Sequence, residues 1–241
     1  VSSGNIDSMV NHYSVSKRRR DKDNYTDNGE MGKRPDRATI VYAQKIKQLY
    51  PHTPVILGGI EASLRRLAHY DYWDDRVRPS ILIESGADLL VYGMGETATR
   101  EIAGRLASGT PISEITDVRG TCFAGRHPGQ CAYPMVEVPS FETVCADKRA
   151  YAQANQVEYE EHDAVRGKAI LQKHGDRLLI ANPPALPLTT AELDAVRRSA
   201  SPSFTTGAAL GPATSAPWPS TRGGPSPLGA IRACCGRRSA W

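Results

Sequence analysis

At 241 residues the chain is long enough for one generous domain or two small ones with a sizeable core. Its formal charge of +4 is unevenly spread: six of the 30 basic residues and no acid follow Val196, leaving 24 basic against 26 acidic before it. That near-neutral body gives no compositional case for nucleic acid. No apolar run reaches the roughly 20 residues of a membrane span and no leader pattern opens the chain, so a soluble cytoplasmic protein is expected.

The chain opens at Val1 as though at the end of a strand and its loop, the reading of a fragment whose upstream part is missing. Residues 6–20 are helix-compatible, with Asp7 or Ser8 as cap, and Lys17-Arg18-Arg19-Arg20 reads as a solvated helix end. A helix is predicted from the N-cap Asp36 to about Tyr50, with Ala38, Val41, Tyr42, Ile46 and Leu49 on its inward face. Residues 54–57 form a buried strand running into Gly58-Gly59, and residues 61–69 a short helix. Residues 71–79 are a polar, aromatic connection, and 81–83 fit strand or helix.

A second buried strand, 88–92, runs into Gly93-Met94-Gly95-Glu96, followed by a helix over 97–107 with Ile102 and Leu106 inward. Residues 120–123 suggest a further strand and 126–134 a loop. Residues 141–161 and 164–173 read as polar helices, 177–180 as a strand, and Leu188 to Leu193 as a hydroxyl-capped helix start. Two strand–glycine–helix switches predict parallel strands with right-handed crossovers and both glycine turns at one sheet edge. After Val196 a Pro/Gly/Ser-rich, acid-free composition reads either as a linker or as a gene translated out of frame. The second reading is preferred.

Glycines at strand ends let the backbone approach a bound group or turn with positive φ. In open α/β sheets, ligands sit outside the carboxyl ends of the strands. Gly58, Gly59, Gly93 and Gly95 are therefore ligand-edge candidates as well as plain tight turns. Glu96 is a helix cap or an orienting group. Neither turn is a G-x-G-x-x-G or a phosphate-binding loop. The His69-Tyr70-Asp71-Tyr72-Trp73-Asp74-Asp75 cluster invites acid–base or metal chemistry, but without a distant third ligand it reads better as a docking surface. Arg65 and Arg66 could pair with its acids or hold an anion, and Ser63 lacks a triad context. Cys122, Cys131, Cys145, Cys234 and Cys235 make neither a C-x-x-C nor a disulfide framework, which fits reduced thiols.

The runs Gly4-Asn5-Ile6-Asp7-Ser8-Met9-Val10-Asn11-His12-Tyr13, Gly32-Lys33-Arg34-Pro35-Asp36-Arg37-Ala38-Thr39 and Gly58 through Trp73 resemble the YgiQ family of radical SAM proteins. So do Ala87-Asp88-Leu89-Leu90-Val91-Tyr92-Gly93-Met94-Gly95-Glu96, Gln172-Lys173-His174-Gly175-Asp176-Arg177 and Asn182-Pro183-Pro184. The resemblance extends from Val1 to Val196 and is to the domain that precedes the catalytic barrel. It implies an α/β, Rossmann-like parallel sheet similar to cobalamin-binding domains, flanked by helices and incomplete at its amino terminus, with a domain over 1–123 and a helical connection toward a radical SAM barrel over 124–196. The tail over 197–241 is expected to be disordered from its breaker-rich composition and scattered apolar residues. Gly58, Gly59, Gly93, Gly95 and Glu96 match the family's ligand edge. A histidine-bearing D-H-x-x-G-like segment would lie upstream of Val1, and cobalamin binding is left open.

In that family three cysteines in C-x-x-x-C-x-x-C hold a [4Fe–4S] cluster whose free iron binds S-adenosylmethionine. The motif is absent here, so neither group is expected to bind this chain and the chain alone is expected to be inactive. The implied partner is the radical SAM barrel of the full-length protein; membrane and nucleic acid are not expected. The alternative from a different class is a stand-alone α/β module binding a nucleotide or phosphorylated metabolite.

Overall fold

The computed structural model describes residues 1–200, and side chains through Arg198; Val1–Arg197 form one compact unit. The elements run α1 (Ser8–His12), α2 (Ala38–Leu49), β1 (Ile56–Leu57), α3 (Ile60–Leu64), β2 (His69–Asp71), β3 (Arg76–Arg78), α4 (Ile81–Ser85) and β4 (Leu89–Val91). They continue as α5 (Glu96–Ala107), β5 (Thr121–Gly125), β6 (Met135–Val138), α6 (Phe141–Ala146), α7 (Lys148–Glu160), β7 (Ala169–His174), β8 (Arg177–Ala181) and α8 (Thr190–Ala200).

Six strands form one sheet in the order β1-β4-β5-β8-β7-β6, and β2 with β3 forms a separate hairpin. Side chains alternate across a strand, so a sheet buried on both faces needs apolar residues at every position. The chain supplies them. Leu57, Leu90, Cys122, Ile170, Leu179 and Ala181 face one core with Ile40 and Ala43 of α2 and Ile81 and Leu82 of α4. Leu89, Val91, Phe123, Leu171 and Ile180 face the other with Ala98 and Ile102 of α5, Ile115 and Val118. Helices therefore cover both faces, the three-layer α/β arrangement expected.

β1 and β4 pair in parallel, Ile56 opposite Leu89 and Leu57 opposite Leu90, which places both glycine turns at one edge as predicted. β6 and β7 are also parallel, but β4–β5, β5–β8 and β8–β7 are antiparallel. The reason is local for β7–β8. His174 pairs with Arg177 across a two-residue turn whose first residue, Gly175, has φ +57, the glycine-first geometry favoured in tight hairpins.

Several segments differ from their sequence reading. The helix expected over 164–173 is instead a loop and β7. A Cβ at Gly167 would lie 2.4 Å from the Asp163 carbonyl oxygen, so this glycine permits a turn that ends any helical path. The helix over 141–161 is two helices, because Asp147 is extended (φ −128) and caps α7 by accepting from the Arg149 amide at 2.8 Å. Residues 135–138 add an unanticipated edge strand, so 124–196 contributes three strands to the sheet and is not a helical connection alone. The expected boundary at residue 123 falls inside β5.

The helix over 6–20 stops at His12, and Tyr13 and Arg19 form an antiparallel bridge. The connection expected over 71–79 is largely a β-hairpin, which begins at His69 and ends at Arg78. The cap of α2 is Arg37, at φ +51 and ion-paired with Asp71 and Asp74, while Asp36 bonds His12 and Tyr13. The buried face of α2 is Ala38, Thr39, Ile40 and Ala43; Leu49 is 71% exposed. Thr189 and Glu192 form a reciprocal cap on α8, as the hydroxyl suggested. That helix continues through Ala200, past the expected start of the tail, and the remainder of the tail lies outside the described residues.

Candidate functional site

The two glycine turns are joined by one side chain. Ser63 Oγ, on α3, donates to the Gly59 carbonyl at 2.9 Å and accepts the Gly93 amide at 3.3 Å. β1 delivers the first turn and β4 the second, so the staple depends on their parallel register. Gly58 donates its amide to the Val1 carbonyl at 2.9 Å, and the Val1 amine donates back to Ile56 at 2.6 Å. Gly59 has φ +87, and a Cβ there would lie 2.4 Å from Ser2 Oγ, so this close approach accommodates the chain's own first residues. A Cβ at Gly95 would meet Val91 Cγ1 at 2.9 Å. Gly93, at φ +68, has nothing within 4 Å of that position, and Glu96 is exposed in the first turn of α5.

One prediction follows from the staple. Ser63→Ala removes a donor and an acceptor that hold the turns together and is expected to cost about 1 kcal/mol. Faster hydrogen exchange at the Gly93 amide would mark the released turn; unchanged exchange would mean that Ser63 does not couple the two.

Behind this edge lies a buried charged network that the sequence did not disclose. Glu61, fully buried on α3, accepts the Ser8 amide at 2.9 Å and the Thr39 amide at 3.3 Å, tying the first turns of α1 and α2 to the glycine segment. Arg65 Nη1 stands 3.5 Å from Glu61 and 2.6 Å from Asp7, ion-pair contacts without aligned hydrogen bonds. Burial pushes the Asp7 carboxyl up, and the Arg65 guanidinium opposes it.

A second group surrounds the buried Asp23. Its carboxylate accepts from Asn11 Nδ2 at 2.7 Å and the Tyr25 amide at 3.0 Å, with His12 Nε2 at 3.2 Å and Arg34 Nε at 3.3 Å. Burial acts against its ionisation, but these donors outweigh it and hold the carboxyl below its usual range. Asp7 of the run Asn5–Tyr13 is thus a structural partner of the glycine segment through Arg65, while Asp36 of Gly32–Thr39 ties back to His12 and Tyr13. The available signal was their density in three short runs, but nothing in one sequence shows that the runs meet.

The cluster at 69–75 forms β2 and the turn that leads into β3. Asp71 accepts from Arg37 Nη2 and the Trp73 amide at 2.9 Å and from the Asp74 amide at 3.0 Å, and is held below its usual pKa. His69 Nδ1 bonds the Leu67 carbonyl at 3.2 Å, and burial lowers its pKa to about 4. Arg66 is committed to Glu158, at 2.6 Å, and lies over the Tyr92 ring. Two surface clefts, of about 430 and 480 Å³, lie beside His69 and α7 and beside α5 and α8; neither is lined by the glycine turns.

The three cysteines among the described residues are not grouped. Cys122 is buried in β5 with its thiol pushed up to about 12 by burial, Cys131 is half-buried beyond β5 and Cys145 is exposed on α6. No group of three His, Cys, Asp or Glu among the described residues is placed to hold a metal. Cys234 and Cys235 lie outside the described residues.

Residues 1–202 match the family model described as Radical SAM N-terminal. The chain is similar to UPF0313 proteins of Methanocella arvoryzae (50% identical over 196 residues, 81% of this chain and 33% of the relative) and Clostridium perfringens (50%, covering 81% and 30%). A UPF0313 protein of Clostridium botulinum is 51% identical over the same share of this chain and 30% of its own length. The chain spans about a third of the length of the curated relatives it matches. No solved structure matches.

Proposed function

Because the chain belongs to the Radical SAM N-terminal family, we propose that it is the amino-terminal accessory region of a radical SAM enzyme. The [4Fe–4S] cluster, S-adenosylmethionine and catalytic barrel belong to the remainder of the longer family protein. The observation that carries this reading is the combination of 50% identity over 196 residues with coverage of only a third of the relative, in a sequence that lacks the C-x-x-x-C-x-x-C spacing. Its edge at Gly58, Gly59, Gly93, Gly95 and Glu96 is the surface that would receive a ligand or face the barrel. Support for that role comes from the shared position of both turns beyond parallel strands and from the open space at Gly93. A cytoplasmic setting accompanies it, consistent with the free cysteines. No helix among the described residues is long and apolar enough to cross a membrane.

Anaerobic reconstitution with iron and sulfide tests the division of labour. The full-length Methanocella relative is expected to develop cluster absorption in the visible range, and this chain none. Stoichiometric cluster in this chain, or none in the relative, would overturn the reading.

A further inference from the structure

From the basic hairpin at residues 14–20, with Lys22 beside it, we infer a docking surface for the phosphate backbone of single-stranded nucleic acid. The run Lys17-Arg18-Arg19-Arg20 does not end a helix. Ser14 and Arg18 close a tight turn, with the Ser14 amide 2.8 Å from the Arg18 carbonyl and the Lys17 amide 3.0 Å from the Ser14 carbonyl. Lys17 sits at the left-handed position of that turn, φ +59. A single helical face cannot present four consecutive cations; a hairpin and its tip expose all four, and Lys22 follows, also exposed.

None of these five cations has a direct ion pair with a carboxylate among the described residues, although the arginines and lysines elsewhere pair repeatedly; Arg19 acts on Asp36 only at longer range, and Arg20 Nε donates to the Val10 and Tyr13 carbonyls at 3.2 Å. Asp21 is the one acid within the run. The rest of residues 1–196 carries 19 bases against 25 acids, so within that body positive charge is concentrated here. Exposed like charges repel one another unless an anion compensates them, and planar guanidinium groups match phosphate oxygens two at a time.

The surface is also preformed. Lys17 Nζ donates to the Trp73 carbonyl at 3.3 Å and lies 4.8 Å from the Tyr72 ring, while Tyr72 OH donates to the Val15 carbonyl at 2.8 Å. These bonds pin the hairpin to the β2–β3 hairpin, so little ordering entropy is lost on binding. Tyr72 is 43% exposed beside the cations. Lys17 covers one face of the Tyr72 ring, and the exposed remainder suits a single strand, a base of which can stack there while its phosphates are neutralised. Val15 is the one apolar side chain at the tip, too little to insert into a lipid surface.

The test is fluorescence anisotropy with the whole chain and a labelled single-stranded RNA of roughly 12 nucleotides. Binding should weaken with salt. The double reversal R18E/K22E should weaken it at least tenfold at low salt and flatten the salt slope by about 0.7 for each lost contact. R166E/R177E changes the formal charge equally at exposed positions away from the hairpin and is expected to leave affinity within about twofold if binding is local. Circular dichroism establishes that each variant folds; if R18E/K22E does not, R18Q/K22Q is read the same way with a smaller loss. Equal losses from both reversals, or no salt-dependent binding by the unaltered chain, would overturn the inference. So would poly-glutamate or anionic vesicles binding at the hairpin as tightly as RNA.

Discussion

Unfolding free energy is expected to fall by about 4 kcal/mol between roughly pH 7 and pH 5, from two histidines alone. Burial lowers the pKa of both His69 and His174 to about 4 from an ordinary 6.5. His174 is stacked on Phe141, with ring centroids 5.3 Å apart, and its Nδ1 has no hydrogen-bond partner. His69 leaves Nε2 without a partner. Neither ring can take up a proton without charging a group that is largely removed from water.

Between about pH 6.5 and 4 the unfolded chain binds more protons at these sites than the folded one. Their contribution is therefore full above the unfolded value and is lost as pH falls toward the folded value. A depression of this size corresponds to about 2 kcal/mol per histidine over the interval from pH 7 to 5. The lowered carboxylates, Asp23, Asp36, Asp71 and Asp74, lose their contribution only further into acid. Asp7, with a raised pKa, works in the opposite direction there. Urea titrations at the two pH values measure the change. His69→Gln and His174→Gln should each remove about half of it, and a pH-independent midpoint in this range would show that the folded rings protonate freely.

What was legible in the sequence was whatever depends on neighbours along the chain. Val55-Ile56-Leu57 and Leu89-Leu90-Val91 are apolar at consecutive positions, as a strand covered on both faces requires, and each runs into glycines that mark its end. The inward positions Ile102 and Leu106 of α5 follow from helical spacing. β7 was hidden because Ala169-Ile170-Leu171, short and apolar, fits a helix or a strand equally until Gly167 is seen as the break. β6 was hidden because Met135 and Glu137 on an edge strand face water, which removes the apolar run that marked the others.

The candidate edge divides in the same way. That Gly58-Gly59 and Gly93-x-Gly95 share an edge followed from two parallel strands. That Ser63 links them, and that Gly59 is filled by Ser2, requires the three-dimensional approach of residues 30 and 57 positions apart. The family resemblance located these runs, but it could not say that their acids and arginines satisfy one another. Asp7 meets Arg65 across 58 positions, and a pair that distant leaves no periodic trace in a single sequence.

Glu61→Ala is expected to cost about 3–5 kcal/mol, a large part of the roughly 5–15 kcal/mol that holds a domain of this kind together. The carboxylate is fully buried and accepts amides from the first turns of two helices, Ser8 of α1 and Thr39 of α2. Helix starts leave amide donors without intrahelical partners and carry partial positive charge, so one buried carboxylate satisfies both donors and offsets both dipoles. Truncation leaves those amides unpaired and removes a negative charge facing Arg65, whose remaining carboxylate is Asp7. Glu61→Gln retains the shape and one acceptor oxygen but presents an NH2 where an acceptor is needed, and should cost about half as much. Both changes should lower the urea midpoint with little change in slope. The alternative is that this carboxylate is held in reserve for a ligand at the glycine edge. A group kept for binding destabilises the empty fold, so Glu61→Ala would then leave the midpoint unchanged or raise it. A falling midpoint assigns Glu61 to the fold rather than to a ligand.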